Sequence, residues 1–546
     1  MESQKEESNR RSPSDNVVNK VTLRVTNNTT YLISGCLDSD IYKLFKRALG
    51  WRPDAYKHMI RQYAEKVRQQ CIQRRMSKEY IDKAVERAKQ WDGYKSNVCY
   101  NKATCHCLVK KPYTHFSTGL LSQARKFFDK HKIPYQIIEG RKVKPQRQYN
   151  YSMSEEYEPR TYQIETKNKS LDVVRGIIQC ATGGGKTPMS CSIIAGAGVG
   201  PCVFYVTSKD LLHQAEDELK RFIRRDGHPV EIGVVGGGRK DIRDITVMTV
   251  QTAIRSLDAK YAKFDDEDDE DETDIADMKD EIKHLITNAK MMVCDEVQHW
   301  AAHTCQVISD ASSEAYYRFG LSATPYRDMG DDILIDACFG RVISKITASY
   351  LIQNKYLIRP NIYMLHIENM RNCPYSSYDK IYKFAIKENI KRNKIIALLA
   401  TKYYEQGRLP MILVRHIDHG NLLKEMIPGS VFLTGKMSSK KRKAHLDLMR
   451  ARKAPPTIAT SLFDEGVDVK PLDMIIQAGS GKSPTRALQR IGRILRPWPN
   501  VENNLKENVI AIDFIDHCRY MEEHSEKRIK IYRTEPEFQI EEKSYD

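Results

Sequence analysis

Short apolar runs alternate with stretches of helical period over the last two thirds of the chain. The runs fall at 203–206, 245–250, 291–294, 411–414, 431–433, 457–460, 474–476 and 509–512. Near-continuous apolar strands separated by helices predict parallel α/β sheets covered on both faces. There are enough strands for two such lobes, joined near residues 340–360. The front of the chain reads differently. Met59, Tyr63, Val67 and Cys71 recur at helical spacing, as do Tyr80, Ile81, Val85 and Ala88, and Arg and Lys crowd the faces between them. This predicts helix from about 42 to 89, with Ser77 as the N-cap of its second part. A further amphipathic helix is predicted over 120–131. Residues 1–16 are polar and expected to be disordered, and 141–158 reads as a linker.

Composition narrows the class. The 546 residues are 41 % hydrophobic and 29 % charged, an ordinary globular balance long enough to bury a core without staples. No run of eighteen apolar residues exists, so no transmembrane helix or membrane partner is expected. The polar start, Met1-Glu2-Ser3-Gln4-Lys5, is not expected to be a signal peptide. Thirteen scattered cysteines read as reduced thiols. Cys99, Cys105, His106 and Cys107 cluster, but without paired CxxC knuckles they are not expected to hold zinc. Cys105 and Cys107 fit one side of a strand instead.

Charge changes the picture most. The net charge is +17, and residues 1–150 hold 31 lysines and arginines against 14 carboxylates, whereas residues 151–546 hold 57 of each. So basic a segment is the footprint of a polyanion, above all nucleic acid. Its aromatics Tyr42, Trp51, Trp91, Tyr94, Tyr113 and Phe116 could stack on bases, but core packing is expected for most. One insertion, 265–274, carries nine carboxylates in ten positions and reads as a solvated loop.

The chemistry begins at Cys180-Ala181-Thr182-Gly183-Gly184-Gly185-Lys186-Thr187, which follows the apolar Ile177-Ile178 and precedes a small-residue helix pattern. Strand, glycine loop and helix in that order make a phosphate cradle. Lys186 would reach the β- and γ-phosphates and the Thr187 hydroxyl would ligate Mg²⁺. About 110 residues on, an apolar strand ends in Asp295 and Glu296. Asp295 would hold Mg²⁺ through water, and Glu296 would polarise the water that attacks ATP. A second loop, Gly479-Ser480-Gly481-Lys482-Ser483, passes the same local filter, but its only late acidic candidate, Asp513, comes after the basic helix, and the loop reads as a connector.

These motifs stand in the order found in superfamily 2 helicases, which the chain resembles. Arg160-Thr161-Tyr162-Gln163 is similar to the adenine-reading Q motif. Asp295-Glu296-Val297-Gln298-His299 is similar to DExH with one residue displaced, leaving open whether Gln298 or His299 couples to motif III. Gly320-Leu321-Ser322-Ala323-Thr324-Pro325-Tyr326-Arg327 resembles motif III. Thr460-Ser461-Leu462-Phe463-Asp464-Glu465-Gly466-Val467-Asp468 resembles motif V, and Gln489-Arg490-Ile491-Gly492-Arg493-Ile494-Leu495-Arg496 resembles motif VI. Spacing by three would put Arg490, Arg493 and Arg496 on one helical face. Within the superfamily, Lys89-Gln90-Trp91-Asp92-Gly93, 116–121 and Arg415-His416-Ile417-Asp418-His419-Gly420 resemble UvsW-type helicases of T4-like phages.

The resemblance implies an α/β protein with two RecA-like lobes, 146–345 and 346–520, behind a small basic α+β domain at 17–145. An acidic loop at 262–276 and a tail at 521–546 complete the expectation. Catalysis would fall to Lys186, Asp295, Glu296, Arg493 and Arg496. Arg160, Tyr162, Gln163, Thr182, Gly183, Gly184, Gly185, Lys186, Thr187, Gly466, Asp468, Gln489 and Arg490 would bind ATP, with Thr187 and Asp295 on Mg²⁺. The implied activity is an ATP-dependent DNA helicase or translocase acting on forks, recombination junctions and R-loops, with DNA or an RNA–DNA hybrid as partner. A cytoplasmic setting is expected, that of the host for a phage protein. The alternatives are an RNA helicase and the translocase subunit of a restriction–modification complex.

Overall fold

The computed structural model describes residues 20–34, 37, 39–53, 56–74, 76–89, 94–101, 113–257, 278–326, 330–367, 373–435, 437–460, 469–481, 483–498, 506 and 508–544. The expected N-terminal disorder, the Trp91-Asp92-Gly93 turn, Cys105, His106, Cys107, the acidic insertion, Arg327, Lys482 and motif V from Ser461 to Asp468 lie outside the described residues. The chain forms two compact units. One comprises residues 1–144 with 328–341, the other 145–327 with 342–546. No described helix is long and apolar enough to cross a membrane.

The first unit is built on a five-stranded sheet in the order Cys99–Asn101, Tyr113–Ser117, Thr29–Ser34, Val21–Val25, Tyr135–Glu139. Its pairs are antiparallel except for the last, which is parallel. Val21, Leu23 and Val25 share one buried face by the two-residue period of a strand, while on the other face Thr22 is buried and Arg24 exposed. Helices Ser39–Ala48 and Leu121–Lys130 cover the core. Phe45 stands 5.2 Å from the ring centres of Phe127 and Phe128, and 5.8 Å from Phe116. Phe116 is therefore a core residue, 1 % exposed.

The helical stretch expected over 42–89, broken at Ser77, is three helices: Ser39–Ala48, Tyr56–Gln73 and Lys78–Lys89. Ser77 caps the third, its Oγ accepting the Tyr80 N–H at 3.3 Å. A larger difference lies in 328–341, which belongs to this unit and not to the first lobe. Helix Ile333–Phe339 places Ala337 in the N-terminal core. Gln123 donates to Asp336 at 2.9 Å, and a Cβ on Gly119 would come within 2.0 Å of the Asp336 carbonyl oxygen. Only glycine allows so close an approach.

The second unit carries two RecA-like lobes. The first sheet runs Arg239–Asp241, Gly233–Gly236, Ile245–Thr249, Cys202–Val206, Met291–Cys294, Tyr317–Ser322, Arg175–Cys180, Val342–Ile346. All neighbours are parallel except the hairpin of its first two strands. Cys202–Val206, Ile245–Thr249 and Met291–Cys294 are buried along their whole length, as strands covered on both faces must be. The second sheet runs Val431–Leu433, Thr457–Ala459, Pro410–Leu413, Met474–Ile476, Val509–Asp516, Pro360–Ile367, Gln539–Ser544, all parallel.

Two segments depart from their sequence reading. The expected linker 141–158 contributes strand Tyr151–Met153, paired with Ile223–Arg225, and buries Tyr151. The expected tail is helix Met521–Tyr532 followed by strand Gln539–Ser544 at the edge of the second sheet.

Candidate functional site

The phosphate loop joins strand Arg175–Cys180 to helix Lys186–Ala197. Gly183 and Gly185 have φ of +86° and +77°, where side chains are strained, and a Cβ on Gly184 would lie 2.4 Å from the Cys180 Sγ. Lys186 and Thr187 open the helix beyond the turn, where backbone N–H groups lack intrahelical partners.

The Q-motif residues fold onto this loop. The Tyr162 hydroxyl donates to the Gly184 carbonyl at 2.7 Å, and the Gln163 amide approaches the same oxygen at 3.4 Å. The Gln163 carbonyl oxygen accepts the Arg160 N–H at 3.0 Å, fixing the start of helix Thr161–Val173. Arg160 donates to the Tyr162 hydroxyl at 3.0 Å and lies over the Tyr356 ring at 4.1 Å. Burial pushes the Tyr162 phenol up to about 12, so it stays a donor. Tyr356 was not picked out from the sequence, for it is one aromatic in a connecting segment with no motif around it.

Asp295 and Glu296 follow strand Met291–Cys294. Burial pushes the Asp295 carboxyl up to about 7, the Glu296 carboxylate adds to the rise, and the Lys186 ammonium opposes it. A half-buried carboxylate in that state, a second beside it and a lysine within electrostatic reach make a charge set that a divalent cation and a phosphate would complete. The glycine turn and this charge set fit ATP with Mg²⁺. Among the described residues, no group of three His, Cys, Asp or Glu side chains forms a metal cluster of its own.

Glu296 begins a line of hydrogen bonds. Gln298 donates to its carboxylate at 2.7 Å, Ser322 donates to the Gln298 carbonyl at 2.6 Å, and the Thr324 N–H donates to Ser322 at 3.0 Å. Gln489 of the second lobe then donates to the Thr324 hydroxyl at 3.0 Å. Of Gln298 and His299, Gln298, 7 % exposed, carries the bond to Ser322 of the motif III segment.

Helix Pro484–Ile494 brings the second lobe against the phosphate loop. A Cβ on Gly492 would stand 2.7 Å from that of Thr182, and one on Gly183 would stand 3.2 Å from the Arg496 Cγ. The expected common face holds for Arg490 and Arg493, three apart on this helix, but does not reach Arg496. The helix ends at Ile494, so Arg496 lies beyond it, while Arg490 donates to Gln477 at 3.1 Å within its own lobe. Arg490 there lines a cavity of about 730 Å³ with Arg415, Arg486 and Lys527. Gly466 and Asp468 lie outside the described residues.

The second glycine loop is a connector. Arg392 donates to the Ala478 carbonyl at 2.7 Å and Arg528 to the Gly481 carbonyl at 2.9 Å. Buried Asp516 and Asp513 hold these two arginines. The loop turns carbonyls toward cations, the reverse of an anion cradle.

Residues 156–327 match the family model described as "Type III restriction enzyme, res subunit", and residues 390–497 match "Helicase conserved C-terminal domain", together just over half of the chain. The chain is 23 % identical to "ATP-dependent DNA helicase uvsW" of Enterobacteria phage T4, over 45 % of this chain and 53 % of that one. It is 24 % identical to "DNA 3'-5' translocase XPB2" of Sulfurisphaera tokodaii, over 63 % and 80 % respectively. For three of the four curated relatives, at 66 %, 52 % and 53 %, the chain spans less than two thirds of the relative's length. Its fold is like that of "ATP-dependent Type ISP restriction-modification enzyme LlaBIII bound to DNA", with TM-score 0.50 and 15 % identity over 78 % of this chain and 36 % of that one. With both helicase domains matched in order on two RecA-like lobes, the chain belongs to the superfamily 2 helicases and is similar to their UvsW type.

Proposed function

We propose that the chain is an ATP-dependent DNA helicase or translocase that remodels branched DNA, including forks, recombination junctions and R-loops. The observation that carries the motor is the unbroken hydrogen-bonded line from Glu296 through Gln298, Ser322 and Thr324 to Gln489, which joins the hydrolytic carboxylate to the other lobe. A nucleotide change at one end is thereby felt as a change in lobe contact at the other. The DNA substrate rests on the basic first 150 residues and on the names of the relatives.

In this reading Lys186 would neutralise the phosphates, Thr187 and Asp295 would hold Mg²⁺, and Glu296 would orient the attacking water. When bound, the metal would supply positive charge to the phosphates. Arg493 and Arg496 add cationic charge from the second lobe, so hydrolysis waits for lobe closure. Tyr162 and Gln163 hold the loop through Gly184, which ties adenine recognition to phosphate binding.

ATPase stimulation by single-stranded DNA, duplex, a four-way junction, an R-loop and RNA tests the proposal. Junctions and R-loops should stimulate most. Stimulation by RNA alone would overturn it. The first family description favours one second reading, a restriction-type translocase. Strong stimulation by plain duplex without strand separation would select that reading.

A further inference from the structure

Helices Tyr56–Gln73 and Lys78–Lys89 form a hairpin in the N-terminal unit, and it is held by little. Its core is Ala64, Val85 and Ala88, with Val67 and Ile81 against them. The stripe read from the sequence placed Tyr63 and Tyr80 with these residues. The structure leaves both out, 48 % and 53 % exposed. They line a groove of about 950 Å³ between the helices, with Lys66, Lys83, Arg87 and Lys95 around it. Of these four cations only Lys83 meets a carboxylate among the described residues, Glu79 at 2.7 Å. From 56 to 89 the chain has ten lysines and arginines against four carboxylates.

Two half-exposed aromatic faces ringed by cations match one ligand chemistry closely. Unpaired bases stack on the rings and the phosphates between them meet the ammonium and guanidinium groups. A duplex hides its base faces, and a second copy of the hairpin would bring its own cations against these. We propose that this groove binds single-stranded nucleic acid, with bases on Tyr63 and Tyr80 and phosphates on Lys66, Arg87 and Lys95. The inference rests on the reading of the chain as a DNA motor, to which it adds a grip carried by the N-terminal unit.

The test uses the full chain without nucleotide and a single-stranded oligonucleotide containing 2-aminopurine, whose fluorescence reports stacking. Y63A/Y80A should weaken binding at least about tenfold and abolish the quenching, whereas Y63F/Y80F, which keeps the ring faces, should bind within about twofold of wild type. K66A/R87A should flatten the dependence of log affinity on log salt by about 0.7 for each cation removed. ATP turnover at saturating DNA should stay at the wild-type value in all three. Wild-type affinity in Y63A/Y80A overturns the site, as does an equal loss in Y63F/Y80F. Wild-type affinity together with lost self-association in sedimentation also overturns it and assigns the groove to a second copy. A wild-type ATPase that no nucleic acid stimulates would overturn the motor reading instead.

Discussion

The Ser322 hydroxyl donates to the Gln298 side-chain carbonyl at 2.6 Å while the amide of the same Gln298 donates to Glu296 at 2.7 Å. One amide thus bonds the Glu296 carboxylate at one end and Ser322 at the other. Gln298→Ala would take this partner from the buried Ser322 hydroxyl and the half-buried Glu296 carboxylate, a cost of about 1–3 kcal/mol. Spent on the transition state, that is roughly a tenfold to hundredfold loss of turnover. Steady-state kinetics should show kcat falling with the KM for ATP little changed. A matching loss of nucleotide affinity would contradict a positioning role.

The arginines of motif VI should separate in their effects. Arg496 lies against Gly183 of the phosphate loop, whereas Arg490 is bonded to Gln477 of its own lobe. Arg493→Ala and Arg496→Ala should keep nucleotide binding and lose hydrolysis by about a thousandfold or more. Arg490→Ala should leave more hydrolysis than either. Fluorescent-nucleotide binding beside single-turnover hydrolysis distinguishes them, and a uniform loss across the three would refute the separation.

Lys186→Ala should abolish ATP turnover while salt-sensitive DNA binding persists, because the phosphate loop and the basic N-terminal segment are separate stretches of chain. Filter binding across a salt series with parallel ATPase measurements checks this. Retained turnover would remove Lys186 from the site.

Asp295 gives a pH signature. Its folded-state pKa, about 7, lies above the unfolded value, so between roughly pH 4 and 7 the folded state binds the extra proton. Stability from this group is present at low pH and is lost as pH rises through 7. Asp295→Asn, which cannot ionise, should therefore be more stable than wild type at pH 8, and the gap should close toward pH 5. Denaturant unfolding without nucleotide measures it. A gap that widened on acidification would show that Asp295 is ionised in the folded protein.

Gly492→Ala sets local and global terms against each other. Alanine raises helix propensity by about 1 kcal/mol, but its Cβ would press on Thr182 at 2.7 Å. Unfolding stability should hold or rise while turnover falls. A drop in both would place the glycine in the core of its own lobe.

What the sequence made legible follows physical lines. Lys186, Asp295 and the glycine loop are backbone chemistry, fixed by spacing along a strand, a turn and a helix. Gln298 was half legible, because the choice between it and His299 depends on where Ser322 sits across the sheet. The common face expected for Arg490, Arg493 and Arg496 fails at Arg496, because spacing by three says nothing of where the helix ends. Strand Gln539–Ser544 was invisible, being an edge strand rich in charge, as edges that avoid pairing with other chains tend to be. Helix Ile333–Phe339 has an apolar face that either unit could bury, so its assignment depended on Gly119 and Gln123, more than two hundred positions upstream.

That helix makes the N-terminal unit more than an appendage. The chain passes between the two units three times, near 144, 328 and 341. Cleavage near residue 144 would sever every covalent bond between the N-terminal fragment and the rest, yet Ala337 would still sit in the fragment's core. The two pieces should copurify as a nicked complex. Genetic removal of the first 144 residues is the harsher cut, since it strands an apolar helix in water and leaves the motor sticky as well as truncated.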